Sequence, residues 1–276
     1  LAVVCSAAGN HGDWPVRDQE TIQKTLPLNA EPMRLVVDNV SGFVHVNGVS
    51  GSDVRITAHK IIRAETDADL ALARSEVKLN ITGQPGTVSA SYDAPWHCDD
   101  HDQSKNCHGS GKRFYSVTYD IDVEVPLAAR LVVSTVNGEI RIDKSAGSFE
   151  VSDVNGAIRM SGIAGSGSVH TVNGQVSVHF EKNPAAACSF KSINGQLDVW
   201  FQPQLSANLL FKTFNGHVYA DFDVAPRAVS SSGTTERRDG MFVYHSNGMS
   251  AGVAGGGGPE LSFDTLNGSI KLHHEQ

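Results

Sequence analysis

No run of eighteen apolar residues occurs anywhere in the 276-residue chain, so no segment is long and apolar enough to cross a bilayer as a helix. Charge is sparse as well: 19% of residues are charged, and acids outnumber bases to leave a net charge of −8. That acidity argues against nucleic acid or an anionic membrane as a partner. Catalytic signatures are also missing. There is no Gly-x-Ser-x-Gly elbow, no His-Glu-x-x-His pair and no phosphate-cradling glycine loop. No catalytic residue and no cofactor are therefore nominated. The expectation is a protein that presents a surface.

Cysteine is limited to four residues. Cys188 falls in an apolar column and reads as a small core residue. Cys98 and Cys107 flank a polar loop at a spacing suited to a local disulfide. Closing about ten residues would stabilise by roughly 2.5–3 kcal/mol on the chain-entropy model, in keeping with an oxidising compartment. The same loop holds His97, His101 and His108, which with a cysteine could supply a tetrahedral zinc set. A disulfide is the preferred reading, with a metal site and a plain solvated loop as the alternatives. The chain opens Leu1-Ala2-Val3-Val4-Cys5-Ser6-Ala7-Ala8 without an initiating methionine, which looks like the tail of a secretion signal. A lipidated Cys5 and an ordinary first strand are the other readings.

What the chain has in abundance is one returning phrase. It reads V-N-G-E-I-R-I at residues 136–142, V-N-G-A-I-R-M at 154–160, V-N-G-Q-V-S-V at 172–178, I-N-G-Q-L-D-V at 193–199, F-N-G-H-V-Y-A at 214–220 and L-N-G-S-I-K-L at 266–272. A cousin with serine for asparagine, V-S-G-F-V-H-V, stands at 40–46. From Asn137 to Asn215 the spacings are 18, 18, 21 and 21 residues. A period near twenty built from strand-forming residues marks a stacked β-repeat. Apolar residues recur four before the asparagine (Val133, Val151, Val169, Phe190, Phe211, Phe263) and three after it (Ile140, Ile158, Val176, Leu197, Val218, Ile270), as strands with one buried face require.

Asn-Gly is also a hairpin signal, so a meander of two-residue hairpins competes with a solenoid. One detail favours the solenoid. Two before each asparagine the residue is polar, and one before it is apolar: Val136, Val154, Val172, Ile193, Phe214 and Leu266. The inward phase would then slip by one residue, and a solenoid corner would turn that apolar side chain into the core. Asn137, Asn155, Asn173, Asn194, Asn215 and Asn267 are expected to tolerate the left-handed region and to hydrogen-bond up the stack. Gly138, Gly156, Gly174, Gly195, Gly216 and Gly268 are expected to supply positive φ. The fold class is therefore all-β, a right-handed β-solenoid (β-helix) of 18–21 residues per coil. One short helix is expected in the N-terminal third, capped by Thr66 with Asp69 as reciprocal partner.

Along the chain, residues 1–32 read as an N-terminal arm or signal remnant. Residues 33–276 read as a single solenoid domain, with a cysteine loop inserted at 94–113 and an excursion at 225–258. Residues 77–81 and 87–92 suggest a hairpin, and 241–247 a degraded coil. The last strand suggests an open edge through which copies could associate end to end.

The Asp38-Asn39-Val40-Ser41-Gly42 opening, the Asp/Ala-rich helix near residue 66 and the serial Asn-Gly coils resemble the bacterial putative-adhesin family of β-strand-repeat domains of unknown function, over about residues 34–276. The resemblance implies a β-helical fold, export to the cell surface, periplasm or medium, and no established catalytic residues. The function expected is a non-catalytic surface protein whose ligand is a protein or a glycan. Alternatives are a self-assembling fibre subunit and, third, a carbohydrate-active β-helix enzyme. Outward carboxylates do not pair on adjacent coils as acid and base would, so Asp198, Asp221 and Asp223 read as a solvated face. Tyr219 and Trp200 are scattered aromatic candidates for glycan contact.

Overall fold

The computed structural model describes residues 14–96, 113–227, 233–238, 241–246 and 249–275. Cys5 and the loop carrying His97, Cys98, His101, Cys107 and His108 lie outside the described residues, as do the disulfide and metal readings placed on them.

Two large sheets, of twelve and eleven strands, and one helix make an all-β fold, and neither sheet closes on itself among the described residues. Each Asn-Gly repeat gives one strand to each sheet. Repeat 1 is Arg130–Asn137 with Ile140–Ser145, and repeat 2 is Phe149–Asn155 with Ile158–Ile163. Repeat 3 is Gly167–Asn173 with Val176–Phe180, and repeat 4 is Cys188–Asn194 with Leu197–Phe201. Repeat 5 is Ala207–Asn215 with Val218–Ala220, and repeat 6 is Glu260–Asn267 with Ile270–His274. The serine-bearing cousin supplies Arg34–Asp38 and Val44–Val49 at the head of the series. In the eleven-stranded sheet every contact between neighbouring repeats is parallel and in register, asparagine opposite asparagine. The twelve-stranded sheet pairs them in parallel too, with one register shift between Met160 and Ile163.

The spatial order is not the chain order. In both sheets repeat 6 lies between repeats 4 and 5. The core follows that order: the Phe263 ring stacks on Phe190 at 5.2 Å and on Phe211 at 5.6 Å. The final strand, expected to be an open edge, is paired on both sides, with Leu197–Phe201 and with Val218–Ala220. Antiparallel strands occupy the ends instead. At one end Val16–Pro27, the second half of the presumed arm, lies on Asp53–Ala64, which pairs in turn with Tyr115–Pro126. The expected hairpin forms there as Lys78–Gln84 on Thr87–Asp93. At the other end Met241–Ser246, expected to be a degraded coil, runs antiparallel to Val218–Ala220. A coil would run parallel, so that reading is corrected.

The helix Asp67–Glu76 begins as expected. Thr66 Oγ1 accepts from the Asp69 amide at 3.2 Å and donates to the Asp69 carboxylate. Its buried Leu70 and Ala73 face the sheet. Beyond its last turn the Lys60 ammonium, itself buried, donates to the Val77 carbonyl at 2.7 Å.

Two corner expectations are overturned. The inward phase does not slip: Thr135, Asp153, Thr171, Ser192, Thr213 and Thr265 are buried, while Val154, Ile193, Leu266 and Phe214 stand exposed. Plain alternation runs through to the asparagine, and at the later corners the buried polar residue supplies a donor, whereas the Thr135 hydroxyl at the first has no partner among the described residues. Ser192, Thr265 and Thr213 each donate to a glycine carbonyl of the adjoining repeat at 3.1 Å. A buried carbonyl left without a partner would be costly. Nor do the corner glycines have positive φ, and none of the six asparagines does. Gly138, Gly156, Gly174, Gly195, Gly216 and Gly268 are required by close approach: a β-carbon on each would lie 1.7–2.0 Å from a glycine carbonyl of the repeat alongside.

The asparagine ladder forms as expected. Each Nδ2 donates to the next Oδ1 from Asn155 to Asn137, Asn173 to Asn155, Asn194 to Asn173, Asn267 to Asn194 and Asn215 to Asn267, at 2.7–3.1 Å. The amide dipoles align along the stack and polarise one another.

Asp153 is the exception in the hydroxyl row. Its Oδ1 accepts from the Asn155 amide at 3.1 Å, while its buried Oδ2 has no partner. Burial pushes its carboxyl up to about 6 from the ordinary 3.8. The folded state therefore holds this proton more tightly than the unfolded chain, so the stabilisation is complete below pH 3.8 and disappears as pH rises through 6. At about 1.4 kcal/mol per pH unit, the loss comes to roughly 3 kcal/mol. Asp153→Thr should be more stable than the parent at pH 7 by that order, with the gap closing near pH 4. Urea unfolding of both proteins at the two pH values measures it.

Candidate binding ridge

Because alternation continues to the corner, the residue before each asparagine projects outward. In spatial order the row is Val136, Val154, Val172, Ile193, Leu266 and Phe214. Val136 and Val172 are half-buried, and the most exposed members lie at the far end, with 40% at Ile193, 47% at Leu266 and 75% at Phe214. With strands about 4.8 Å apart, six of them make an apolar ridge about 24 Å long. The asparagine ladder borders one side of it.

The outward row two residues earlier borders the other side. It changes from Ser134 and Ser152 to His170, Lys191, Asp264 and Lys212. Lys212 Nζ lies 3.6 Å from Asp264 Oδ2. Where the charged residues meet the largest apolar ones, a groove of about 330 Å³ opens between Lys191, Lys212 and Asp264 on one side and Ile193, Leu266 and Phe214 on the other. Its apolar floor and mixed-charge wall suit an extended amphiphilic segment. These apolar residues, expected in the core, stand outside it. The signal that could have found them is the strict alternation itself, taken through the corner without a break.

The other sheet carries a second cluster on its outer face. The Trp200 indole lies between the His179 ring at 4.0 Å and the His273 ring at 4.8 Å, both stacked on it. His179 Nδ1 is 2.7 Å from Glu275 Oε1, and His273 Nδ1 is 3.5 Å from Asp221 Oδ2. Asp198 is buried here and accepts from the Gln175 and Gln196 side-chain amides, each at 2.7 Å. The solvated-face reading of Asp198 is thereby corrected. Both faces of Trp200 are covered, so it is not a platform for a sugar ring. Tyr219 is half-buried on the same outer face, edge-on to His217 at 6.1 Å. Sequence alone could not assemble this cluster, because His273 reaches Trp200 only through the displaced sixth repeat. Among the described residues no group of three or more His, Cys, Asp or Glu side chains is arranged to hold a metal ion. No helix among them is long and apolar enough to cross a membrane.

No family model and no curated protein matches the chain. Solved structures do. A putative cell adhesion protein from Clostridium sporogenes is similar at 10% identity over 94% of this chain and 100% of its own, with a TM-score of 0.47. A putative adhesin from Bacteroides fragilis is similar at 12% identity over 93% and 97%, with a TM-score of 0.37. A putative lipid binding protein from Parabacteroides distasonis is similar at 11% identity over 93% and 97%, with a TM-score of 0.26.

Proposed function

We propose that this chain is a non-catalytic surface protein of adhesin type, exported from the cell, that binds an extended segment of a partner protein along the apolar ridge. One observation carries the reading: six successive outward positions are apolar where solvent alone would favour polar residues. Apolar patches of that continuity mark interaction sites. Branched aliphatic side chains ending in Phe214, beside Lys191 and Lys212, suit an amphiphilic polypeptide better than a sugar. The repeats support this role as a rigid scaffold wound as a right-handed β-solenoid. Parallel strands linked through a crossover are right-handed in nearly all proteins.

Retention of fluorescent full-length protein on immobilised fibrinogen and casein, beside a glycan array, tests the proposal. The parent protein should be retained on the protein surfaces. Phe214→Ser with Leu266→Ser should lower that retention at least about tenfold, equivalent to about 1.4 kcal/mol. Both side chains are exposed, so the thermal midpoint should hardly move. Retention by glycans alone, or retention insensitive to the double substitution, would refute the proposal.

A further inference from the structure

Repeat 6 is held entirely by its neighbours. On one side Cys188, Phe190, Ser192 and Asn194 face Leu261, Phe263, Thr265 and Asn267. On the other, Leu209, Phe211, Thr213 and Asn215 face the same four residues. The asparagine amides at 2.7 Å on either side and the two phenylalanine stacks all run between repeats. Such contacts are equally available to a repeat supplied by another chain. Repeats 4 and 5 also share one register, so without repeat 6 they could pair with each other directly, which lowers the cost of its departure.

Two further features bear on exchange. Repeat 6 is joined to the preceding strand Met249–Ala254 through Gly255, Gly256, Gly257, Gly258 and Pro259, three of the glycines at φ of +56°, +76° and +159°. The glycine part of the joint can change its backbone angles without side-chain barriers, while Pro259 keeps the entry to repeat 6 extended. The outer edge of repeat 5 is already taken by antiparallel Met249–Ala254 and Met241–Ser246, so repeat 6 has no place to stack in chain order.

We infer that the interval between repeats 4 and 5 is an acceptor site for an Asn-Gly repeat, and that its occupant in trans is residues 260–274 of a second copy. In such an exchanged pair each copy lends Asp264 and Leu266 to the other's ridge, so the groove becomes a joint property of two chains. In the intact chain the tethered repeat competes at an effective concentration in the millimolar range, which keeps exchange rare at micromolar protein. Shortening the joint removes that advantage, as in other domain-swapped proteins.

The test uses full-length chains with Cys5, Cys98 and Cys107 replaced by serine and Cys188 retained. Lys191 and Asp264 are register partners, so Lys191→Cys and Asp264→Cys can form a disulfide across the interval. Placed on separate chains, the two cysteines can link only between copies. Co-refolding the two variants with Gly256, Gly257 and Gly258 deleted should yield a disulfide-linked dimer. The yield with the joint intact should be at least about tenfold lower at micromolar protein. The double variant Lys191→Cys/Asp264→Cys with an intact joint should close within one chain, which verifies the geometry. Should the shortened chain fail to fold, intact-joint chains co-refolded at millimolar concentration must still cross-link. A shortened chain that folds as a monomer, or no link between intact copies at millimolar concentration, overturns the inference.

Discussion

Gly174→Ala is expected to be among the most damaging single substitutions in this chain, costing at least about 4 kcal/mol, a loss that only severe core or backbone conflicts produce. The added β-carbon would lie 1.7 Å from the Gly156 carbonyl oxygen and 2.6 Å from its carbon. Both are backbone atoms of a neighbouring strand, so relief requires moving a whole repeat. That would lengthen the ladder hydrogen bonds on which the sheet depends and open the asparagine chain. The backbone at Gly174 is not left-handed, so the effect measures crowding rather than dihedral preference. Gly83→Ala is the control, since its nearest neighbour is the Leu26 side chain at 3.3 Å. It should cost no more than about 1–2 kcal/mol, as modest overpacking does. Urea denaturation of the two variants beside the parent separates the outcomes.

Phe263→Ala should cost about 3–5 kcal/mol, in the range for truncating a buried aromatic. Phe263 is fully buried between Phe190 and Phe211. Its removal leaves a cavity at the one level where three rings meet across the displaced repeat. Because those rings touch, Phe190→Ala and Phe263→Ala should not add independently, and a double-mutant cycle should give a coupling of about 0.5–1.5 kcal/mol. If the repeats stacked in chain order, Phe190 would couple to Phe211 instead and hardly at all to Phe263.

The sequence is a good guide wherever local pattern and structure share one cause. Alternation at Val133, Ile140 and their equivalents identifies the strands and the core. The recurrence of Asn-Gly identifies parallel in-register stacking, and Thr66 with Asp69 marks the helix start. At the corners the same residues matter, but for a different physical reason. Glycine looked like a dihedral requirement, yet the requirement is room for the carbonyl alongside. Threonine looked like an outward residue, yet its hydroxyl is buried to satisfy that carbonyl, which leaves Phe214 and Leu266 outside. These assignments depend on how one repeat meets the next, and a single repeat does not encode that.

The order of repeats was illegible for a different reason. Repeats 4, 5 and 6 carry the same columns, so any order satisfies the local pattern. The choice is made by the antiparallel strands that occupy the outer edge of repeat 5. Both surface clusters inherit that choice. Leu266 enters the ridge between Ile193 and Phe214, and His273 reaches Trp200, only because repeat 6 is displaced. The ridge and the histidine stack are therefore tertiary features with little trace in sequence spacing.

The most direct test of the whole arrangement is the set of interstrand nuclear Overhauser contacts made by the Asp264 backbone in the isotope-labelled full-length protein. Contacts from Asp264 to both the Lys191 and the Lys212 strands, with none joining Lys191 to Lys212 directly, are the expected result. Direct contacts between Lys191 and Lys212, with Asp264 adjacent to only one of them or to neither, would contradict the displaced repeat and break the ridge that the binding proposal requires.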